Sequence, residues 1–451
     1  MNEAPQSGKP LFSRQALQRL LWPLVGEQFL AVTIGMADTV MVASVGEAAV
    51  SAVSLVDSIN ILMLNIFAAL ATGGAIVASQ YLGQRDEKNA NRSAKQLVVV
   101  VALFGLALGL LCALLRAPLL RGLFGSADAA VLSDAQNYFF FTALSYPFIA
   151  VYNSGAAIFR SMGNSKVSLK ASLISNVINI IGNAICIYGL GWGVVGAAVP
   201  TLISRIVGAV LILWLLRNRS LRISLTNWRE FRLRPDMVRR ILGIGVPNGL
   251  ESGMFQIGKI LVQGLIASLG TVSIAANAVC GTLSALPQIP AQAIGLGMTT
   301  VVGQCVGAGD YKQAQTYIKK LTIMATAFHG VLCVLFFFAI PWMLMPFGLS
   351  SETVRLATHL QQVYYLVGAL TWALSFTFPN GLRAAGDVKF TMTASVLSMW
   401  IFRIGFSYLL VSFFGLGVDG VWYAMYIDWA VRIVAFQLRY FSGKWKTKRI
   451  I

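Results

Sequence analysis

Apolar runs of about twenty residues recur along the whole chain, separated by short polar or Gly/Pro-marked breaks. A helix of about 20 apolar residues matches a hydrocarbon core about 30 Å thick, so each run is long enough to cross a bilayer. Charged residues make up only 12% of the sequence, about half the share in an average soluble domain. The pattern excludes a soluble enzyme, a disordered chain and an outer-membrane barrel, whose strands would alternate polar and apolar residues. It predicts an all-α polytopic membrane protein.

About twelve spans follow from these runs. They cover residues 16–45, 49–82, 93–116, 131–159, 166–190, 193–216, 241–268, 272–306, 316–346, 353–381, 389–413 and 417–441. Arg and Lys concentrate in alternate loops, above all in the central loop, and basic loops stay cytoplasmic. An even number of spans then places both termini in the cytoplasm, and we expect the membrane to be a bacterial inner membrane.

The net charge of +18 (35 Lys and Arg against 17 Asp and Glu) is explained by this loop bias and does not indicate a nucleic-acid partner. The five cysteines lie in or beside apolar segments without a Cys-x-x-Cys pair, so they predict neither a disulfide framework nor a metal site. The expected partners are the lipid bilayer and a small-molecule substrate, with the chain acting as a monomer.

An internal repeat organises the chain. Pro23 and Glu27 recur as Pro247 and Glu251, a shift of 224 residues, and GQRDEKNA at 83–90 recurs as GAGDYKQA at 307–314. The repeat predicts two homologous six-helix lobes, 1–216 and 241–451, joined by a basic cytoplasmic linker at 217–240, with a short basic tail at the C-terminus. Because six is even, both lobes share one orientation, and such parallel repeats suit a central cavity and alternating access.

These segments, with GMADTVMVASVG at 35–46 and the paired motifs that begin at Arg160 and Arg383, resemble the multidrug and toxic compound extrusion (MATE) transporters over essentially the whole chain. The resemblance is greatest to the prokaryotic DinF-like branch. It implies a V-shaped cavity between the lobes and export of amphipathic, often cationic compounds in exchange for H⁺ or Na⁺, without a cofactor. That branch usually has Asp where this chain has Asn183, which weakens the case for Na⁺.

Four polar residues in the first lobe form the predicted coupling site. An ionisable side chain costs at least about 2.5–3.5 kcal/mol at the centre of a membrane helix, so Asp38 needs an explanation. Asp38, Asn183 and Thr201 lie at one depth, about 10 Å from the outer ends of their helices, and Asn179 is one turn deeper than Asn183. The resemblance places its coupling site on these same positions. The alternative is structural hydrogen bonding between helices.

The sequence favours H⁺ over Na⁺ at Asp38. A hard cation benefits from several oxygen ligands and more than one negative charge, whereas burial disfavours the charged form of a carboxyl group and so favours proton uptake. Pro23 removes a backbone hydrogen bond from the same helix and should bend it. Either a proton on Asp38 changes that bend, or the bend is a static kink of the kind common in membrane helices.

Other charges in the spans allow two interpretations each. Asp57 is either a second proton carrier or a residue of a water-filled cleft. Glu251, like its repeat partner Glu27, either holds the start of its helix or contacts substrate. Lys259 either pairs with a buried carboxylate such as Asp428 or meets an anionic part of a substrate.

Arg403 allows the same two interpretations as Lys259. Asp428 and Arg432 lie one turn apart and are expected to pair with each other. His329 and His359 are expected to be structural.

The function predicted is a secondary active antiporter, because no nucleotide-binding or zinc motif is visible. The alternative is a flippase for lipid-linked intermediates, or an exporter of anionic metabolites, from the same superfamily. A membrane-embedded enzyme has poor support, since the two His residues are far apart in the sequence.

Overall fold

The computed structural model describes residues 10–124 and 128–451, and all regular structure in these ranges is helical. The first half contains helices α1 (Arg14–Ala43), α2 (Glu47–Gly83), α3 (Glu87–Leu114), α4 (Arg116–Phe124), α5 (Ala129–Leu144), α6 (Tyr146–Ser161), α7 (Ser165–Ala184) and α8 (Val195–Leu215). The second half contains α9 (Pro235–Ala267), α10 (Thr271–Gly307), α11 (Tyr311–Leu344), α12 (Ser351–Phe376), α13 (Pro379–Ala384), α14 (Val388–Ser398), α15 (Phe406–Ser412) and α16 (Gly417–Phe441). A π-helical segment, Ile185–Gly189, follows α7, and another, Met399–Gly405, joins α14 to α15.

The twelve predicted spans all fall on these helices. Eight helical segments of the described chain are long and apolar enough to cross a membrane by themselves: α1, α2, α3, α7, α8, α10, α11, and α14 with α15. The other four correspond to the pair α5 and α6, and to the more polar helices α9, α12 and α16. The predicted all-α polytopic fold is thereby confirmed.

The fourth span is broken where the sequence predicted one continuous helix. Ser145 separates α5 from α6, and Pro147 lies in the first turn of α6. Proline is accommodated there because the first amide groups of a helix have no intrahelical acceptor, but it disfavours helical geometry in the preceding residue. At this break, the Ser145 hydroxyl oxygen accepts a hydrogen bond from Arg205.

The internal repeat is visible in local structure. Helices α2 and α10 both contain 37 residues. The helix after each begins with an aspartate N-cap: Asp86 accepts from the Asn89 amide at 3.0 Å, and Asp310 accepts from the Gln313 amide at 2.9 Å. A side chain at this position satisfies a backbone amide that the helix leaves free. The shared residues thus make the same contact in both halves.

The chain divides into two compact units, one of residues 12–249 and one of residues 250–450 with the segment that ends at Leu11. The division falls inside α9, after Gly249. Within the first unit, a Cβ atom on Gly73 of α2 would lie only 2.6 Å from the backbone nitrogen of Gly245. The first turns of α9 therefore pack with α2.

Candidate coupling site

The four predicted site residues form one chain of hydrogen bonds in the first unit. The Asn183 amide donates to Asp38 Oδ1 at 2.9 Å and approaches Asn179 Oδ1 at 3.4 Å. The Asn179 amide donates to the Thr201 hydroxyl oxygen at 3.0 Å, and that hydroxyl donates to the Ala197 carbonyl at 2.8 Å. The network joins α1, α7 and α8, as their common depth in the sequence predicted.

Local geometry explains how α7 and α8 bring these groups together. Asn179 and Asn183 are one helical turn apart and share a face of α7. Between them, Gly182 allows α8 to approach, because a Cβ atom there would lie 2.7 Å from Pro200 Cβ. The π-helical segment Ile185–Gly189 begins directly after α7, and such segments are frequent at functional sites.

One oxygen of the site has no hydrogen-bond partner among the described residues. Asn183 is almost fully buried, and its Oδ1 makes no hydrogen bond to any described residue. An unsatisfied buried polar atom costs about 1–3 kcal/mol. The site therefore combines a half-buried carboxylate, Asp38, with a free oxygen acceptor on the residue that binds it. A proton or a small cation would use both.

Asp57 lies in a second polar group of the same unit. It accepts from the Asn60 amide at 3.2 Å, and Asn60 Oδ1 accepts from the Tyr146 hydroxyl at 2.9 Å. Both Asp57 and Asp38 interact electrostatically with the guanidinium of Arg205, which also donates to the Ser145 hydroxyl oxygen at 2.6 Å. The two carboxylates thus share one positive neighbour.

Arg205 is the residue that sequence reasoning missed. It lies within an apolar span, and the argument that singled out Asp38 applies equally to a guanidinium inside a membrane helix. The signal was therefore present in the sequence. Its partner, the Ser145 hydroxyl, could not be inferred, because the break in the fourth span was not predicted.

The repeat-related glutamates carry equivalent ion pairs. Glu27 lies 3.8 Å from Arg160 and accepts from the Ser168 hydroxyl at 2.9 Å. In the second unit, Arg383 donates to Glu251 at 2.6 Å. The partners Arg160 and Arg383 are themselves repeat mates, so each half holds its first helix by the same pair. Pro23 lies inside α1, which continues through it.

Lys259 does not pair with Asp428. The second unit instead forms the expected pair of Asp428 with Arg432, at 2.9 Å, and Asp428 also accepts from the Ser398 hydroxyl. The Lys259 ammonium lies 5.1 Å from the ring centroid of Phe255.

The histidines are held by protein contacts. His329 Nδ1 lies 2.9 Å from the Pro287 carbonyl oxygen, and His359 lies 3.4 Å from Asp419. Among the described residues, no group of three His, Cys, Asp or Glu side chains is arranged to hold a metal ion.

Comparison with known proteins decides the family. The family model MatE matches residues 23–185 and again 247–409, two segments 224 residues apart that together cover more than half of the chain. The chain belongs to the MatE family. It is therefore a membrane transporter and not an enzyme, and the family match reproduces the internal repeat with the shift read from Pro23 and Pro247.

Two curated relatives extend over nearly the whole of this MatE protein. The uncharacterised transporter YisQ of Bacillus subtilis is 26% identical over 98% of this chain and 97% of its own length. The probable multidrug resistance protein NorM of Thermotoga maritima is 24% identical over 97% of this chain and 94% of its own length.

Two solved structures share the fold. A MOP superfamily transporter from Pyrococcus furiosus superposes with a TM-score of 0.90 at 20% identity, over 96% of this chain and 97% of that one. A multidrug resistance MATE transporter in an outward-facing conformation superposes with a TM-score of 0.87 at 20% identity, over 95% and 94%.

Proposed function

We propose that this MatE protein is a secondary active antiporter that exports amphipathic, often cationic organic compounds in exchange for H⁺ by alternating access. The observation that carries the proposal is the hydrogen-bonded chain from Asp38 through Asn183 and Asn179 to Thr201. The named relative from Thermotoga maritima supports a multidrug substrate range. The loop charges support a topology with both termini in the cytoplasm, and the bacterial relatives support a bacterial inner membrane.

Protonation of Asp38 would change the hydrogen-bond chain. As a carboxylate, Asp38 only accepts, and the Asn183 amide donates to it. As a neutral acid it gains a donor, and the buried Asn183 Oδ1 is an adjacent acceptor without a partner. The amide of Asn183 would turn, and its bond to Asn179 would change with it. A site that binds a proton in one conformation better than in the other can drive the equilibrium between them.

The composition of the site favours H⁺ over Na⁺. Asp38 is its one carboxylate, and Asn179, Asn183 and Thr201 contribute only neutral oxygens. A hard cation is bound best where several oxygens and more than one negative charge converge. A proton needs only a carboxyl group and an acceptor, and both are present.

Transport in proteoliposomes tests the assignment. With an imposed pH gradient and ethidium as the cargo, wild-type protein should drive uphill transport, and Asp38→Asn should abolish it while ethidium binding persists. Glu47→Gln is the matched control, because Glu47 is an exposed carboxylate at the start of α2. Uphill transport by Asp38→Asn would refute the role of Asp38. Wild-type transport driven by a Na⁺ gradient at equal pH would replace H⁺ by Na⁺ at the same site.

An exporter of anionic compounds is the second candidate, and the positive charges of the second unit favour it. Lys259, Arg403 and Arg432 lie around one aromatic ring. The two candidates differ in the charge of the cargo. Transport of an organic cation and an organic anion by the same vesicles distinguishes them.

A further inference from the structure

Three positive side chains surround Phe255 in the second unit, and we call this group the basic cluster. Lys259 Nζ lies 5.1 Å from the ring centroid, and the guanidinium carbons of Arg403 and Arg432 each lie 5.5 Å from it. All three are within the distance at which a cation is attracted to an aromatic ring. Asp428 supplies one negative charge, so the cluster holds three positive charges against one.

Asp428 attracts both Arg403 and Arg432, but of the three cations in the described chain it is Arg432 that has a close ion-pair partner. It pairs with Asp428 at 2.9 Å and donates to the Ser395 carbonyl at 3.1 Å. Within residues 10–124 and 128–451, neither Lys259 nor Arg403 has a carboxylate within 4.0 Å of its charged nitrogens, and the two repel each other. Unpaired charges inside membrane spans are costly and mark functional sites. An anion between Lys259 and Arg403 would give both side chains a counterion and would offset their mutual repulsion.

The backbone holds these two cations in place. Phe255 and Lys259 are one turn apart on α9, so they share a face. Arg403 lies in the π-helical segment Met399–Gly405, and the Met399 side chain of that segment packs against Gly258 of α9. Lys259 is exposed in the structure and Arg403 is partly exposed.

Two more aromatic side chains extend the apolar surface that begins at Phe255. Phe255 contacts Phe376 edge to face at 6.1 Å, and Phe376 stacks on Trp372 at 5.1 Å. Flat aromatic surfaces of this kind suit a planar ring better than two flexible acyl chains. Charge and shape together describe a ligand with an anionic group attached to a planar apolar body.

We propose that Lys259 and Arg403 bind the carboxylate of an amphipathic aromatic substrate whose ring lies against Phe255. A guanidinium group matches a carboxylate in geometry, because two parallel N–H groups can meet its two oxygens. The site rests on the proposed function in that its ligand is cargo of the antiporter. Arg432 keeps Asp428 and does not take part.

Equilibrium binding tests the proposal without any ion gradient. The probes are 1-naphthoate and 1-naphthylmethylammonium, which share a ring system and differ in charge, added to the full-length protein in nanodiscs of neutral phosphatidylcholine. Naphthoate should bind, and Lys259→Met and Arg403→Met should each weaken its binding about 10- to 100-fold. Lys259→Arg should keep most of the affinity. Lys312→Met, which removes an exposed positive charge elsewhere, should change nothing.

Three results would overturn the proposal. Equal naphthoate affinity in wild type, Lys259→Met and Arg403→Met would show that the cations do not bind it, provided that all variants keep the wild-type Tm. Equal weakening of both naphthalene probes would indicate a loss of packing and not of charge. Loss of wild-type naphthoate binding when the nanodiscs contain phosphatidylglycerol would assign the cations to lipid phosphates. In any of these cases, proton-driven export that depends on Asp38 would leave the proposed function intact.

Discussion

The buried ion pair of the second unit should control the stability of that unit. Asp428 and Arg432 lie 2.9 Å apart, and their side chains are 0% and 3% exposed. Asp428→Ala would leave the guanidinium of Arg432 buried without its counterion and would also remove the acceptor of the Ser398 hydroxyl. Breaking one side of such a pair costs about 3–5 kcal/mol. At about 2–4 °C per kcal/mol, Tm should fall by about 6–20 °C.

A surface pair provides the matched control. Arg222 and Glu87 lie 3.4 Å apart, and their side chains are 44% and 54% exposed, so the loss of this pair should cost less than about 1 kcal/mol. Thermal unfolding of the purified protein, followed by tryptophan fluorescence, compares Asp428→Ala with Glu87→Ala. The double variant Asp428→Leu/Arg432→Met should recover most of the lost stability, because two apolar side chains leave no buried charge.

A Tm of Asp428→Ala equal to that of Glu87→Ala would refute this reasoning. It is also refuted if the double variant is less stable than Asp428→Ala alone, since the residual charge of Arg432 would then not be the source of the loss.

Two further predictions concern the first unit. Gly73→Ala should destabilise the protein by about 1–3 kcal/mol through overpacking, because its Cβ would lie 2.6 Å from the backbone of Gly245. Gly243→Ala should have no such effect, because nothing lies within 4 Å of a Cβ at that position. Equal Tm values for the two variants would contradict the close contact. Asn183→Asp would place a second carboxylate beside Asp38. Because a hard cation prefers several oxygens and more than one negative charge, this variant should show Na⁺-stimulated transport in vesicles at constant pH. Transport that does not respond to Na⁺ would contradict the explanation given for the preference for H⁺ over Na⁺.

The sequence by itself predicted the features that depend only on distances along the chain. Apolar run lengths predicted the membrane helices, and the shift of 224 residues predicted the two halves that the family match reproduces. The positions of Asp38, Asn183 and Thr201 along their helices were enough to predict that they lie at one depth, because α-helices have a constant rise and cross a bilayer of fixed thickness. The role of these residues in coupling stays a prediction.

Contacts between helices were decided only by the tertiary structure. The rotation of one helix about its axis relative to another is not encoded by run lengths, so the sequence left Asp428 as a possible partner of both Lys259 and Arg432, and the structure pairs it with Arg432. The bond between Ser145 and Arg205 could not be predicted for the same reason. The approach of Gly73 to Gly245, which carries the start of α9 into the first unit, depends on backbones meeting across two helices. Spacing along the chain determined which groups lie at one depth, and helix packing decided which of them touch.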